Sequence, residues 1–349
     1  VPAGANAEEV CLLPGITVYP VTDLAACAAH LCGTKMIEAQ KKQQSPSTAQ
    51  TDLVDISEIH GNEFAKRALL IAAAGKHHCL LSGPPGVGKT MLAKSFVGLL
   101  PEPCQVELLE ISEAQSLVGR SVVNERPFRA PHHSAKSSAM LGRWVGRQFR
   151  PGELTLAHNG VLFLDELPEF DRDVLEQLRQ PLESKTINLA RAENSITIPA
   201  NFILIAAQNP CPCGFTGDSR RECRCTLQQK RLYAKKLSGP LLDRIPIHCE
   251  VNQADELYFR ANKNLETTTT LREKIVAARR FNANRNKDAQ SYLSKEAETL
   301  AKNAAHTLKL SARGFMQLIS VSQTIADLEQ SETISALCIS EALQYRNTT

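Results

Sequence analysis

With 349 residues, the chain is long enough for two or three domains that each bury a core. Hydrophobic residues make up 43% and charged residues 22%, which excludes a disordered or fibrous protein. The formal net charge of +3 is too small to identify a nucleic-acid partner by itself. No apolar run approaches membrane-helix length and no basic-then-apolar leader opens the chain. We therefore expect a cytoplasmic protein without a membrane partner.

The first part of the chain has the pattern of a small α/β piece. Residues 16–19 predict a strand and residues 23–31 an Ala-rich helix. The polar stretch 40–48 follows, and it predicts an exposed linker. Because the first residue is Val1 rather than Met, we expect a fragment or processed form that lacks an N-terminal portion.

From residue 55 onward, helix-like segments alternate with apolar strands, which predicts an α/β fold. The central strands lack polar alternation, as expected of parallel strands covered on both faces. The predicted elements are a helix at 62–74, strands at 79–81, 160–164 and 202–207, and a hairpin at 185–198.

After about residue 254 the strand signals stop, and the pattern becomes helical. The predicted helices lie at 267–285, 293–307, 311–328 and 337–346. We therefore expect a second, all-helical domain at the end of the chain.

Eight consecutive residues have the spacing of a phosphate-binding loop: Gly83, Pro84, Pro85, Gly86, Val87, Gly88, Lys89 and Thr90. In such a loop the glycines let backbone N–H groups surround the phosphates, the lysine reaches the β and γ oxygens, and the threonine hydroxyl binds Mg²⁺. The strand before the loop and the helix that begins within it provide the required context. The sequence therefore predicts binding of ATP with Mg²⁺.

Two carboxylates, Asp165 and Glu166, come directly after the predicted strand 160–164. At this position one carboxylate can bind Mg²⁺ and the second can activate water for attack on the γ-phosphate. We assign Asp165, with Thr90, to Mg²⁺ and Glu166 to the catalytic base, which predicts ATP hydrolysis. An acidic strand end that only faces solvent is the alternative.

Asn209 follows the next apolar strand, where its amide can position the attacking water. A turn-forming Asn before Pro210 is the alternative. Arg313 lies near the start of a predicted C-terminal helix and can reach the nucleotide from the helical region.

Arg244 lies beyond the last predicted core strand and is a candidate arginine finger. Such a group stabilises charge in the transition state and is often supplied by a neighbouring subunit, which would make activity depend on a ring. A surface ion pair with Asp243 or Glu250 is the alternative.

Four of the eleven cysteines are clustered in a C-x-C, nine-residue gap, C-x-C arrangement: Cys211, Cys213, Cys223 and Cys225. Four thiols on one loop suit a tetrahedral Zn²⁺ site, which would be structural because no coordination position stays open. The usual spacing is C-x₂-C, so the match is imperfect. Free buried thiols or a redox pair are the alternative.

Two stretches, 119–150 and 220–236, are rich in basic residues. The first contains Arg120, Arg126, Arg129, Lys136, Arg143, Arg147 and Arg150, interleaved with His132, His133 and Trp144, against Glu125. The second contains Arg220, Arg221, Arg224, Lys230, Arg231, Lys235 and Lys236 against Glu222. Such loops suit the phosphate backbone of DNA, and Trp144 can stack on a base. A solvated face, or arginines directed at a neighbouring subunit's ATP, is the alternative.

Five runs of sequence closely resemble the ComM/YifB family of magnesium-chelatase-like AAA+ ATPases: residues 126–133, 152–170, 209–214, 238–245 and 310–314. The resemblance implies an AAA+ P-loop NTPase core, an α/β/α sandwich with a parallel sheet, followed by a C-terminal helical lid. It implies assembly into a homohexameric ring. It also implies Asn209 as sensor 1, Arg244 as the finger and Arg313 as sensor 2.

The resemblance further implies a DNA motor that promotes branch migration during homologous recombination of incoming single strands in natural transformation. A remodeller of protein partners, like the magnesium-chelatase motor subunit, is the alternative, and it needs the same ATP site. The expected organisation is a remnant of a Lon-protease-like domain (1–38), a linker (39–54), the ATPase core with a Cys-rich loop at 211–225 (55–253) and the helical lid (254–349).

Overall fold

A computed structural model of the chain describes Ala7, Val10 and Cys11 and residues 15–40, 54–119, 125–146, 148–191, 194–218, 221–252, 266–285 and 292–346. The strands are β1 (Cys79–Ser82), β2 (Phe128–Arg129), β3 (Gly142–Val145), β4 (Gln148–Pro151), β5 (Val161–Leu164), β6 (Thr186–Arg191), β7 (Asn194–Pro199), β8 (Ile203–Gln208) and β9 (Ile247–Glu250). Five of them form a parallel sheet in the order β2-β5-β8-β1-β9, and β3-β4 and β6-β7 are antiparallel hairpins.

The described helices include those that follow the strands of this sheet and four helices in the C-terminal part of the chain. They are α1 (Leu24–Leu31), α2 (Glu63–Gly75), α3 (Lys89–Leu99), α4 (Gln105–Ser116), α5 (Ser137–Leu141), α6 (Glu153–Leu156), α7 (Arg172–Gln177), α8 (Pro181–Ser184), α9 (Leu227–Ala234), α10 (Gly239–Leu242), α11 (Thr268–Ala283), α12 (Lys295–Thr307), α13 (Ala312–Leu328) and α14 (Ala336–Gln344). Short 3₁₀ turns lie at Ile56–Glu58 and Leu167–Glu169.

The central strands are apolar throughout because the sheet is covered on both faces. Along β1, Leu81 packs into one hydrophobic cluster and Leu80 into the other. Phe163 and Leu162 divide in the same way along β5. Successive side chains of a strand point to opposite faces, so a continuous apolar run serves two cores. The predicted α/β architecture with a parallel sheet is confirmed.

The carboxyl ends of β5, β8 and β1 lie side by side at one edge of the sheet. Leu164 is in register with Ala206, and Leu81 with Ala207. Parallel strands direct the segments that follow them to the same edge. The three segments predicted to carry chemistry are therefore neighbours in space.

The four C-terminal helices form where the sequence pattern predicts them, within about two residues at each end. Each begins after a Ser or Thr whose side chain accepts a hydrogen bond from the backbone N–H three residues later, and these caps are Thr267, Ser294, Ser311 and Ser335. Helix α11 packs against α2 and α3, and α13 packs against α2. The C-terminal helices thus share one continuous hydrophobic cluster with the sheet.

The N-terminal piece differs from its prediction. Helix α1 forms, with the Asp23 carboxylate accepting a hydrogen bond from Ala26 N at 2.7 Å, and none of its residues is buried. The strand predicted at 16–19 is wrong: residues 16–20 have no regular structure. A strand needs a ladder partner, whereas here Gln40 N donates to Val18 O across two irregular segments. The Lon-protease-like origin of this piece stays a prediction, and linker residues 41–48 lie outside the described part of the chain.

The β6-β7 hairpin confirms the prediction for residues 185–198, but the sequence pattern missed the helices α4 to α10, the strands β2 and β9 and the β3-β4 hairpin. Strand β2 is two residues long, and β9 alternates buried and partly exposed side chains at the sheet edge, so neither has a long apolar run. Among the described helices, none combines the length and apolar character that crossing a membrane requires.

Candidate active site

Residues 83–90 form the turn between β1 and α3, as the sequence predicts. Gly86 and Gly88 have φ values of 82° and 91°, in a region that side chains with a Cβ rarely adopt. This conformation lets the loop fold back over the start of α3, whose first residue is Lys89. Backbone N–H groups at a helix start are free to bind anions, so the loop has the architecture of a phosphate site.

The ammonium group of Lys89 is buried at the centre of the site, where the residue is only 8% exposed. It donates hydrogen bonds to Gly83 O at 2.5 Å, Pro84 O at 2.8 Å and Asn209 Oδ1 at 3.1 Å. Burial lowers the pKa of Lys89, and the nearby charges of Asp165 and Glu166 partly oppose this. The structure therefore brings together the lysine of the loop and the residue predicted as sensor 1.

Thr90 and Asp165 lie next to each other, as expected of two Mg²⁺ ligands. Thr90 Oγ1 donates to Asp165 Oδ2 at 3.1 Å, and the other carboxylate oxygen, Oδ1, accepts from Glu166 N at 2.9 Å. Hydroxyl and carboxylate oxygens are the ligand types that Mg²⁺ prefers. Thr90 is exposed, so waters and a phosphate oxygen can reach the same position. The donor set fits Mg²⁺.

Glu166 lies on the open side of the site, with a half-exposed side chain and a left-handed backbone (φ 51°). Its Oε2 is 3.1 Å from Nδ1 of His133, and the His133 ring packs on His132 with centroids 4.1 Å apart. The sequence does not predict a role in the ATP site for His133, because its position depends on the short strand β2, which pairs with β5. A His-His pair just after a short strand is the only signal that the sequence offers.

Arg244 and Arg313 meet on one carboxylate, that of Glu183 in α8. Arg244 Nη2 lies 2.6 Å from Glu183 Oε2, and Arg313 Nη2 contacts Glu183 Oε1. The sequence alternative for Arg244 named the wrong partners, since neither Asp243 nor Glu250 pairs with it within the described residues. Within the residues that the structure describes, neither arginine hydrogen-bonds to residues 83–90.

The four clustered cysteines converge, as the sequence predicts. Their sulfur atoms all lie within 4.8 Å of one another, and Cys211 is fully buried. The Cys211–Cys213, Cys213–Cys223 and Cys211–Cys223 sulfur separations are 3.4, 3.6 and 3.7 Å. A tetrahedral zinc with bonds of about 2.3 Å needs sulfurs about 3.8 Å apart. The arrangement fits a four-thiolate metal site.

The surroundings of these thiols shift their pKa values in opposite directions. Burial would raise the pKa of Cys211, but hydrogen bonds with Thr216 and Cys213 outweigh it and lower the value to about 6. Burial raises the pKa of Cys225 to about 12. Metal binding to such a cluster displaces the remaining protons.

Part of the first basic stretch is used inside the fold. Arg126 is nearly buried and pairs with Glu107 at 2.7 Å, while Arg129 forms two hydrogen bonds with Glu153. Lys136 pairs with Asp171 at 3.0 Å on the surface. Arg126 and Arg129 therefore do not belong to a free basic surface, whereas Lys136 is exposed beside a carboxylate, and Arg120 and Arg147 lie outside the described residues.

The other described arginines of the first basic stretch lie on the β3-β4 hairpin. Arg143 and Arg150 are exposed and directly opposite each other across the hairpin, and neither side chain has an ion-pair partner among the described residues. Trp144 is half-buried, and its ring meets Phe149 edge to face at 5.8 Å.

In the second stretch, Lys236 pairs with Glu169 at 2.9 Å and Arg221 lies over the ring of Phe215. Arg224, Arg231 and Lys235 are exposed, and Arg220 lies outside the described residues. Helix α9 and its flanks thus supply a second group of solvent-facing cations.

Two family profiles match the chain: Magnesium chelatase, subunit ChlI, over residues 55–258, and Magnesium chelatase, subunit ChlI C-terminal, over residues 265–346. Uncharacterized protein YifB of Escherichia coli is 40% identical over 359 residues, which span 98% of this chain and 69% of that protein. Competence protein ComM of Haemophilus influenzae is 40% identical over 364 residues, which span 99% of this chain and 70% of that protein.

A more distant similarity is to DNA replication licensing factor MCM7 of Arabidopsis thaliana, which is 24% identical over 318 residues, 82% of this chain and 41% of that protein. The first ChlI profile alone covers more than half of the chain, and the identity to YifB and ComM extends over nearly all of it. The chain therefore belongs to the ComM/YifB family of magnesium-chelatase-like AAA+ ATPases.

Proposed function

We propose that this chain is the ATP-hydrolysing subunit of a homohexameric ring that moves DNA, acting as a branch-migration helicase in homologous recombination and natural transformation. Membership of the AAA+ family supports an ATPase-type motor that uses ATP and Mg²⁺. The DNA part draws on the names of two relatives, a competence protein and a DNA replication licensing factor. A cytoplasmic location stays a prediction.

The observation that carries the DNA assignment is the pair Arg143 and Arg150 on the β3-β4 hairpin. Like charges directly opposite each other on a hairpin are unfavourable, and no carboxylate of the described residues pairs with either arginine. A polyanion would relieve this repulsion. Two exposed cations held opposite each other, without a carboxylate partner among the described residues, thus support a binding surface for a phosphate backbone.

A remodeller of protein partners remains the second candidate, because the matching profiles are those of a magnesium-chelatase subunit. The ATP site would be identical in both cases. The difference lies in the ligand of the hairpin, and DNA binding separates the two.

Within the site, the geometry supports a division of roles. Lys89 would bind the β and γ oxygens of ATP, exchanging its carbonyl partners Gly83 and Pro84 for phosphate. Thr90 and Asp165 would hold Mg²⁺, which neutralises phosphate charge when bound. Asn209, which already contacts Lys89, would orient the attacking water.

Glu166 would accept the proton of the attacking water, and His133 would orient the Glu166 carboxylate. The ring nitrogen Nδ1 of His133 lies 3.1 Å from Glu166 Oε2, close enough to hold the carboxylate in one direction. A half-exposed glutamate would otherwise sample several rotamers. His133 is thus a positioning residue for the proposed base.

Arg244 and Arg313 would act as one unit on the ATP of the neighbouring subunit. Because both bind Glu183, the two arginines are held side by side. Neither hydrogen-bonds to the phosphate loop of its own subunit in the described structure. This arrangement favours a site completed across a subunit boundary.

We also propose that Cys211, Cys213, Cys223 and Cys225 hold a structural Zn²⁺. The sulfur separations match a tetrahedral site, and the loop places the four thiols together without a disulfide.

Lys89→Ala is expected to abolish ATP binding, because the buried ammonium has no substitute. Glu166→Gln is expected to bind ATP with unchanged affinity and to lose at least about 100-fold in kcat, since the amide cannot accept the proton. Fluorescence anisotropy of a labelled ATP and phosphate release measure the two effects. Glu296→Gln, an exposed glutamate of α12, is the matched control. Parental hydrolysis by the Glu166 variant would remove the base from the mechanism.

His133→Ala is expected to lower kcat about tenfold while the KM for ATP changes by less than about twofold, as for a group that acts only in the transition state. His133→Gln, which keeps a donor, is expected to recover part of the rate. Steady-state ATPase assays measure both values, with His306→Ala in α12 as the control. An unchanged kcat in His133→Ala would show that the contact with Glu166 has no catalytic role.

Arg244→Ala is expected to lower kcat by about 1000-fold. Mixing it with Glu166→Gln subunits should restore activity, because some boundaries then combine an intact Glu166 with an intact Arg244. Arg313→Ala should be rescued in the same way if it acts across the boundary. Rescue of the Arg244 variant but not of the Arg313 variant would mean that Arg313 serves its own subunit, and rescue of neither would contradict the shared site.

The double variant Arg143→Ala/Arg150→Ala is expected to bind single-stranded DNA at least about tenfold more weakly at low salt, and its slope of log K against log salt should fall in magnitude by about 1.4. Lys302→Ala, an exposed lysine of α12, should bind like the parent. Equal binding by double variant and parent would exclude the hairpin as the DNA surface. No binding by the parent at low salt would favour the remodeller of protein partners.

A further inference from the structure

We propose that the four-cysteine loop is a metal-dependent clamp on the ATP site: zinc held by its thiolates fixes Asn209 and the phosphate loop, so zinc occupancy sets the affinity for ATP. This inference rests on the zinc site proposed above and gives that site a role beyond holding its own loop.

The first link between the cysteines and the ATP site is the contact of Gly214 with Pro85. A Cβ placed on Gly214 would lie 2.6 Å from Pro85 Cδ, well inside the distance that real contacts allow. Gly214 also has a φ of 84°, and its N–H donates to Cys211 O at 2.9 Å. The backbone of the cysteine loop therefore lies directly on the phosphate loop, and only glycine permits this approach.

The second link runs along the chain. Asn209 lies two residues before Cys211, and its Oδ1 accepts a hydrogen bond from Lys89 Nζ at 3.1 Å. The intervening Pro210 removes one backbone rotation, because its ring fixes φ. A metal bond at the buried Cys211 would consequently hold Asn209 close to Lys89.

The two links start from the same pair of ligands. Cys211 and Cys213 enclose the turn that leads to Gly214, while Cys223 and Cys225 return from the far end of the loop. Thr216 Oγ1 lies 3.2 Å from Cys223 Sγ and adds a contact between the two halves. Zinc is the group that can bind both halves at once, since thiols alone form only weak hydrogen bonds.

Loss of the metal would release both contacts together. The segment after Cys213 would no longer press on Pro85, and Asn209 would no longer be fixed beside Lys89. ATP binding depends on the shape of the phosphate loop and on the position of the lysine. Removal of zinc is therefore expected to weaken ATP binding about tenfold or more while the sheet and the C-terminal helices stay folded.

The experiment measures zinc content and ATP affinity on the same samples of the full chain. Zinc is quantified by atomic emission, and affinity by fluorescence anisotropy of a labelled ATP with Mg²⁺ kept in excess, before and after treatment with a zinc-selective chelator and after addition of Zn²⁺. The expected result is about one zinc per chain, a loss of affinity of about tenfold or more on chelation, and recovery with Zn²⁺. Circular dichroism checks that the chelated chain keeps its helices.

Three variants sharpen the result. Cys223→Ser/Cys225→Ser should lose both zinc and ATP affinity, whereas Cys104→Ser, an exposed cysteine outside the loop, should keep both. Gly214→Ala retains all four ligands, so it should keep zinc and yet bind ATP more weakly, because its methyl group collides with Pro85.

The outcomes separate the parts of the proposal. Zinc far below one per chain would overturn both the zinc site and the clamp. Stoichiometric zinc with an ATP affinity that chelation leaves unchanged would overturn the clamp and leave the zinc site standing. Lys89→Ala, which should lose ATP affinity and keep its zinc, distinguishes a failed ATP site from a failed clamp, and DNA is needed in none of these measurements.

Discussion

The buried ammonium group of Lys89 is the interaction on which the rest of the site depends. It is bound by two carbonyl oxygens of its own loop and by the amide oxygen of Asn209, with Asp165 and Glu166 nearby as negative charges. A buried cation held mainly by dipoles is only partly compensated, and burial accordingly lowers its pKa. A phosphate group would supply the missing charge, so the folded protein is prepared for an anionic ligand at this position.

The parallel sheet is what assembles this environment. Strand β1 supplies the loop, β8 supplies Asn209 and β5 supplies the two carboxylates, and these strands are adjacent in the sheet. Their short apolar runs are anchored in two cores, so the chemistry sits where the chain leaves the sheet. Arg244 and Arg313 are placed differently, since both bind Glu183. Neither hydrogen-bonds to the phosphate loop of the same subunit within the described residues. A ring would bring such a pair to the ATP of a neighbour.

The parts of the site that depend on residues close together in the chain are predictable from the sequence. The phosphate loop, Asp165-Glu166 and the four cysteines are each local patterns, and the structure brings their members together as expected. The contacts of His133 with Glu166 and of Glu183 with Arg244 and Arg313 are not predictable in this way, because they join segments that are distant in sequence. The number of free basic residues is smaller than the sequence indicates, since Arg126 and Arg129 form ion pairs with Glu107 and Glu153 that composition alone does not show. The strand expected at 16–19 failed for a related reason, because an apolar run does not reveal whether a ladder partner exists.

The proposed zinc site and the proposed DNA-binding hairpin lie in segments that follow strands of the parallel sheet. The cysteine loop follows β8, the arginine-bearing β3-β4 hairpin follows β2, and both lie close in sequence to groups that contact the ATP site, Asn209 and His133 respectively. The ATPase rate of the full chain, measured with and without single-stranded DNA at low salt, tests the motor function most directly. A rate that rises several-fold with DNA is the result expected for a DNA motor. A rate that no form of DNA changes, in a chain that hydrolyses ATP, would contradict it.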